Sequence, residues 1–180
     1  MKKYEILKDQ SLEYEGRTLY RIRALVDFKC SDGDVDSEGR IVYHRQIKAG
    51  DLGGYIEKES NLSHDINGEY GSWVGDDAKV MDNAVVSDSG VVLGNSIVKD
   101  NATVSGYGEL SGNGLAYGKA KIKGILMKKV IVGGNSEIAD TCCIDGDIEF
   151  NGDFMTNERY PVSIRGNAVI KGSINIEMLS

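Results

Sequence analysis

Residues 72–122 read SWVGDD AKVMDN AVVSDS GVVLGN SIVKDN ATVSGY GELSGN GLAYGK AKI, a six-residue repeat in unbroken register. The first place of each hexad is small: Ser72, Ala78, Ala84, Gly90, Ser96, Ala102, Gly108, Gly114 and Ala120. The third is aliphatic: Val74, Val80, Val86, Val92, Val98, Val104, Leu110, Ala116 and Ile122. Two residues apart on an extended chain, these places share one face, so each hexad turns one small and one larger side chain inward. The fifth place holds only Asp or Gly, at Asp76, Asp82, Asp88, Gly94, Asp100, Gly106, Gly112 and Gly118. Both types accept the left-handed backbone of a sharp corner.

Each hexad is therefore a short strand and a corner. Such a strand cannot bury its apolar face alone, whereas stacked turns give a continuous core and let each strand pair with those above and below. Residues 66–125 are accordingly expected to form an all-β, single-stranded parallel β-helix. An antiparallel sandwich also alternates, but its turn signals come every ~8–12 residues and drift in spacing. The strict frame speaks against it.

Downstream, the frame breaks near residues 123–129 and resumes with Val130, Ser136, Cys142 and Ile148 paired to Val132, Ile138, Ile144 and Phe150. A second break, near 153–161, carries Asn157, Glu158, Arg159 and Tyr160 and reads as a projecting loop. It yields to Val162/Ile164, Ala168/Ile170 and Ile174/Ile176. Loops on a rigid scaffold often carry function, which makes Glu158, Arg159 and Tyr160 candidate binding residues. Together the blocks amount to about five turns.

Upstream, residues 1–60 lack the period. Tyr4-Glu5-Ile6-Leu7 and the run from Thr18 to Leu25 read as strands around a turn at Glu15-Gly16, a β-hairpin. The acidic stretch at 31–39 has the composition of a calcium loop without its full spacing, so it reads as a hairpin tip. A solenoid end exposes unpaired backbone and an apolar cross-section, so residues 1–60 are expected to cap the helix of residues 61–180.

Composition narrows the function. With 28 acidic against 21 basic residues the formal charge is −7, which disfavours direct nucleic-acid or anionic-membrane binding. Neither a spanning apolar stretch nor a signal-peptide pattern is present, which points to a cytoplasmic protein. Cys30 stands alone, and neighbouring Cys142 and Cys143 would point to opposite faces of a strand. Neither a disulfide framework nor a zinc spacing results, and no metal or cofactor is expected.

The stretches Leu19-Tyr20-Arg21-Ile22-Arg23-Ala24-Leu25, Gly50-Asp51-Leu52-Gly53-Gly54-Tyr55-Ile56-Glu57 and Asn61-Leu62-Ser63, followed by Trp73-Val74 and repeats of Asn-Ala-x-Val type, resemble bacterial and prophage-encoded hexapeptide-repeat proteins. The resemblance covers nearly the whole chain. It implies three hexads per triangular turn, a left-handed coil, a phage-type origin and residence in a host cytoplasm.

That family often carries a transferase label, and the acyltransferases with this repeat use a histidine as general base beside an acyl-CoA held between neighbouring prisms. Here the histidines are His44, in the amino-terminal region, and His64, where the first coil begins. His64 adjoins the repeat and is the better catalytic candidate. Neither has an adjacent motif that would orient it, and fold analogy does not establish an activity.

A non-catalytic binding or structural protein acting on a host or phage protein needs only a stiff patterned surface, and is the reading preferred here. A sharper version uses Asp76, Asp82, Asp88 and Asp100 as a row at one corner imitating a phosphate backbone, an acidic nucleic-acid mimic. Corner geometry alone, however, already demands Asp at those places. A homo-oligomer, trimer or dimer, would cover the flat faces and the last turn near Ile174, Ile176 and Met178. Trp73, Tyr107 and Tyr117 either decorate a binding face or pack beside the first coils.

Overall fold

A computed structural model describes residues 1–31, 44–123, 125–127, 130–134, 137–138, 143–145, 148–151, 153–157 and 160–165. The described chain is all-β, apart from one 3-10 turn at Glu59–Asn61. Among these residues no helix is long and apolar enough to cross a membrane. The sheets are mixed: parallel within the repeat, antiparallel near the amino terminus and across 153–165.

Tyr4–Tyr14 and Arg17–Ala24 pair antiparallel as a hairpin closed by Glu15 and Gly16, both at positive φ (47° and 73°). Two successive left-handed residues give the tight turn whose twist matches that of the strands. Arg17–Ala24 then pairs antiparallel with Leu52–Ile56, which in turn pairs in parallel with Lys79–Val80. The stretch expected to link cap and coil is thus the first rung itself. One sheet of eight strands runs from the hairpin through the repeat.

Within the repeat every pairing is parallel and joins residues one turn apart, as in Trp73 with Val91, Lys79 with Ile97 and Val85 with Thr103. Successive hexads fall in three sheets in rotation, so three hexads complete one turn. All eight fifth-place residues from Asp76 to Gly118 have positive φ, between 53° and 73°. Every third-place residue from Val74 to Ile122 is buried, as are the small residues of the first place. The core is continuous from Tyr4 and Phe28 through the coil to Ile138.

The frame break near 123–129 is a remodelled corner within a continuing ladder, and one expectation beyond it requires correction. The segment after Ile122 carries a rung of its own, because Ile125–Met127 pairs in parallel with Glu109 and Leu110 and puts Leu126 in register with Leu110. That pairing spans 16 residues (125 minus 109) where Val91 to Glu109 spans 18, so this turn is two residues shorter. Deleting a corner pair keeps the inward alternation intact, which is why the frame recovers at Val132 and Ile138. The correction concerns Val162 and Ile164. They lie in Tyr160–Arg165, which pairs antiparallel with Asp153–Asn157 as a hairpin and makes no parallel pairing among the described residues.

Candidate functional site

His64 is the catalytic candidate, and its surroundings decide what it can do. The main-chain N–H of Lys3 donates to His64 Nδ1 at 3.2 Å, which leaves the ring proton on Nε2, and Nε2 donates to Glu59 Oε1 at 3.0 Å. The imidazole also stacks on Tyr4, with centroids 4.2 Å apart and planes at 23°. A general base needs a ring nitrogen directed at a substrate. Here both nitrogens are already engaged, and the ring fastens the first strand to the segment that starts the coil.

The rest of this junction was invisible in the sequence. Glu59 also accepts from Lys2 Nζ at 2.7 Å, and these bonds to Lys2 and His64 hold its carboxyl below the usual range. The Tyr4 hydroxyl, with one proton to share, lies within hydrogen-bond distance of the carbonyl oxygens of Leu62 (2.8 Å) and Glu59 (2.9 Å), and burial followed by the Glu59 charge pushes its pKa well up. Lys3, in a run that reads as solvated, is fully buried. Its neighbours Phe28, Cys30 and Trp73 are buried with it.

The corner aspartates have a different task. Asp76 Oδ2 accepts from Gly94 N (2.9 Å), Asp82 from Asp100 N (3.1 Å), Asp88 from Gly106 N (3.3 Å) and Asp100 from Gly118 N (2.8 Å). Each carboxylate reaches the matching corner of the next turn. Because a turn is three hexads, Asp76, Asp82 and Asp88 occupy three different corners, and of the four only Asp82 and Asp100 stack. One row at one corner is therefore not formed. Arg45 pairs with Asp76 (3.3 Å), and Arg17 bridges Glu57 and Asp82.

These bonds yield a ranked prediction at Asp100. Asn retains an acceptor and tolerance of the φ of 60°, Gly retains only the tolerance, and Ala loses both. Stability should fall in the order wild type, Asn, Gly, Ala. The loss should be about 1 kcal/mol for Asp100→Gly and about 2 kcal/mol for Asp100→Ala. Urea unfolding measures it, and an Ala variant as stable as Asn would remove the corner bond from the account.

The second place of each hexad points outward, and the three sheets differ sharply there. On the sheet of Trp73, Val91 and Glu109 the outward row is buried, with Phe28 meeting Trp73 edge-on at 5.5 Å. On another, Val85, Thr103 and Lys121 grade from half-buried to exposed. On the eight-stranded sheet the row runs Tyr55, Lys79, Ile97, Leu115 and Ile131, all half-buried and in register. Lys79 is held there by the Asp77 carbonyl oxygen (2.8 Å) and the Tyr14 ring (5.4 Å), leaving three aliphatic side chains in succession.

Of the aromatic candidates, Trp73 packs inside, Tyr107 is 54% exposed at a corner, and Tyr117 lies against Gly133. Glu158 and Arg159 lie outside the described residues, as do residues 32–39 of the acidic stretch and Cys142. Tyr160 begins the strand Tyr160–Arg165, its backbone paired with Asn157. His44 begins the strand His44–Ile47. No group of three or more His, Cys, Asp or Glu residues that could hold a metal occurs among the described residues.

Set beside known proteins, the chain matches no protein-family model, no curated protein and no solved structure. The likeness to hexapeptide-repeat proteins therefore rests on the residues quoted above.

Proposed function

We propose that the chain is a non-catalytic binding protein of phage or prophage type: a left-handed parallel β-helix whose flat eight-stranded sheet engages a protein partner. The observation that carries this reading is the outward row Ile97, Leu115 and Ile131. Three half-buried aliphatic side chains on adjacent rungs form an ordered apolar strip on a rigid surface. The three-sheet rotation, the one-turn parallel register and the positive-φ corners support the helix assignment, and the residue-level resemblance supports its hand. The engagement of both His64 ring nitrogens weighs against an acyl-CoA-dependent transferase.

The test is affinity capture from host extract with wild type, Leu115→Glu and Asp88→Asn, each verified as folded. A partner retained by Asp88→Asn and lost by Leu115→Glu is the expected result. Capture unaffected by Leu115→Glu would move the contact elsewhere, and turnover of acetyl-CoA by the pure protein would overturn the non-catalytic reading.

A further inference from the structure

Lys3 is 0% exposed, and its Nζ donates to Ser72 O at 2.7 Å and Ser72 Oγ at 3.0 Å, 5.2 Å from the centre of the Phe28 ring. A side chain on Gly71 would stand 3.3 Å from the Lys3 Cδ and Nζ, so the glycine leaves the lysine its place. The main chain of Lys3 is tied as well: its N–H to His64 and its carbonyl oxygen to Leu25 N at 2.9 Å. One residue thus binds the start of the first strand to the hairpin's return and to the coil's first turn.

Charge decides how firmly. A neutral amine has two N–H groups, and Ser72 offers two oxygens to receive them. Among the described residues, the titratable groups that act on the amine are Asp65 and, in Phe28–Ser31, Cys30; Ser72 and Gly71 are neutral, and the Phe28 ring face attracts the charged form. His64 faces the Lys3 main chain, and Lys2 and Glu59 meet outside it. Burial draws the amine down from 10.5 to about 7, while Asp65 and then Cys30 pull less strongly the other way.

We propose that Lys3 is a proton-sensitive latch, whose neutral amine holds the first strand on the coil and whose protonation loosens that hold beside Trp73. A released strand exposes the amine to water and restores its ordinary basicity. Between about pH 10 and about 7 the released state then binds more protons than the docked one, so docking weakens as pH falls and levels off below that window. The slope is about tenfold in the docking constant per pH unit.

Two measurements on the full chain test this. With carbon-13 at the lysine Cε atoms, one resonance should titrate near pH 7 in wild type and be missing in Lys3→Met. Hydrogen exchange at the Leu25 amide, corrected for intrinsic rate, should show an opening constant about fiftyfold larger at pH 7 than at pH 9 in wild type. In Lys3→Met, which retains His64, Asp65 and Cys30, the rise should be absent. Parallel pH profiles in the two proteins, or lysines that all titrate above pH 9, would overturn the latch. Should Lys3→Met not fold, the wild-type titration decides alone.

Discussion

Gly108→Ala should destabilise the protein by about 3 kcal/mol, although it adds a single methyl group. A Cβ built on Gly108 would stand 2.4 Å from the Ile122 carbonyl oxygen and 2.8 Å from that of Ser105. Both are backbone atoms in the turn's own ladder and cannot rotate away. Gly90 has the same problem one turn earlier, 2.5 Å from the Val104 carbonyl oxygen. Yet Ala102, in the same place of its hexad on another sheet, buries its methyl completely. At Gly114 the nearest atoms belong to the Leu110 side chain, which can shift, so Gly114→Ala should cost about 1 kcal/mol. Urea midpoints of the two glycine variants check the ranking, and equal losses would show that the coil relaxes around the added methyl.

The second large effect is expected at Trp73, the chain's one tryptophan. It is 1% exposed, meets Phe28 edge-on, and lies 2.7 Å from where a side chain on Gly53 would begin. It therefore joins the amino-terminal strands to the first full turn. Trp73→Ala should cost about 3–5 kcal/mol and lower the melting temperature by roughly 10 °C. Trp73→Phe, which keeps an aromatic ring against Phe28, should recover most of the loss. A melting temperature within a few degrees of wild type for the alanine variant would mean that the cap and coil do not share one core.

The inward and corner places were legible from composition at fixed spacing. Small, aliphatic and Asp/Gly residues recur there because sterics leave few alternatives. The outward places were readable only once the number of hexads per turn was known. Taken every third hexad, they separate into Trp73, Val91, Glu109; Lys79, Ile97, Leu115; and Val85, Thr103, Lys121. Even then Glu109 would have been placed in solvent, whereas it is 3% exposed. The two-residue shortening before Ile125 showed in the sequence only as a break in frame, because Ile125 and Leu126 fall out of the six-residue count while remaining in the ladder.

The junction around Lys3 had no local signal at all. The Lys3 partners His64 and Ser72 lie more than fifty positions away, as does Glu59 from Lys2, and a lysine beside Lys2 reads as solvated. The strip of Ile97, Leu115 and Ile131 was present as letters but not as a surface. Only the fold shows that the matching row on the next sheet is buried while this one is half-buried.

The reach of each corner carboxylate has a direction. Asp76, Asp82, Asp88 and Asp100 all accept from an amide one turn closer to the carboxyl terminus. During synthesis, the acceptor for each new corner is therefore already in place before the amide that will use it leaves the ribosome. The coil can be laid down turn upon turn in the order of translation, each completed turn serving as the template for the next.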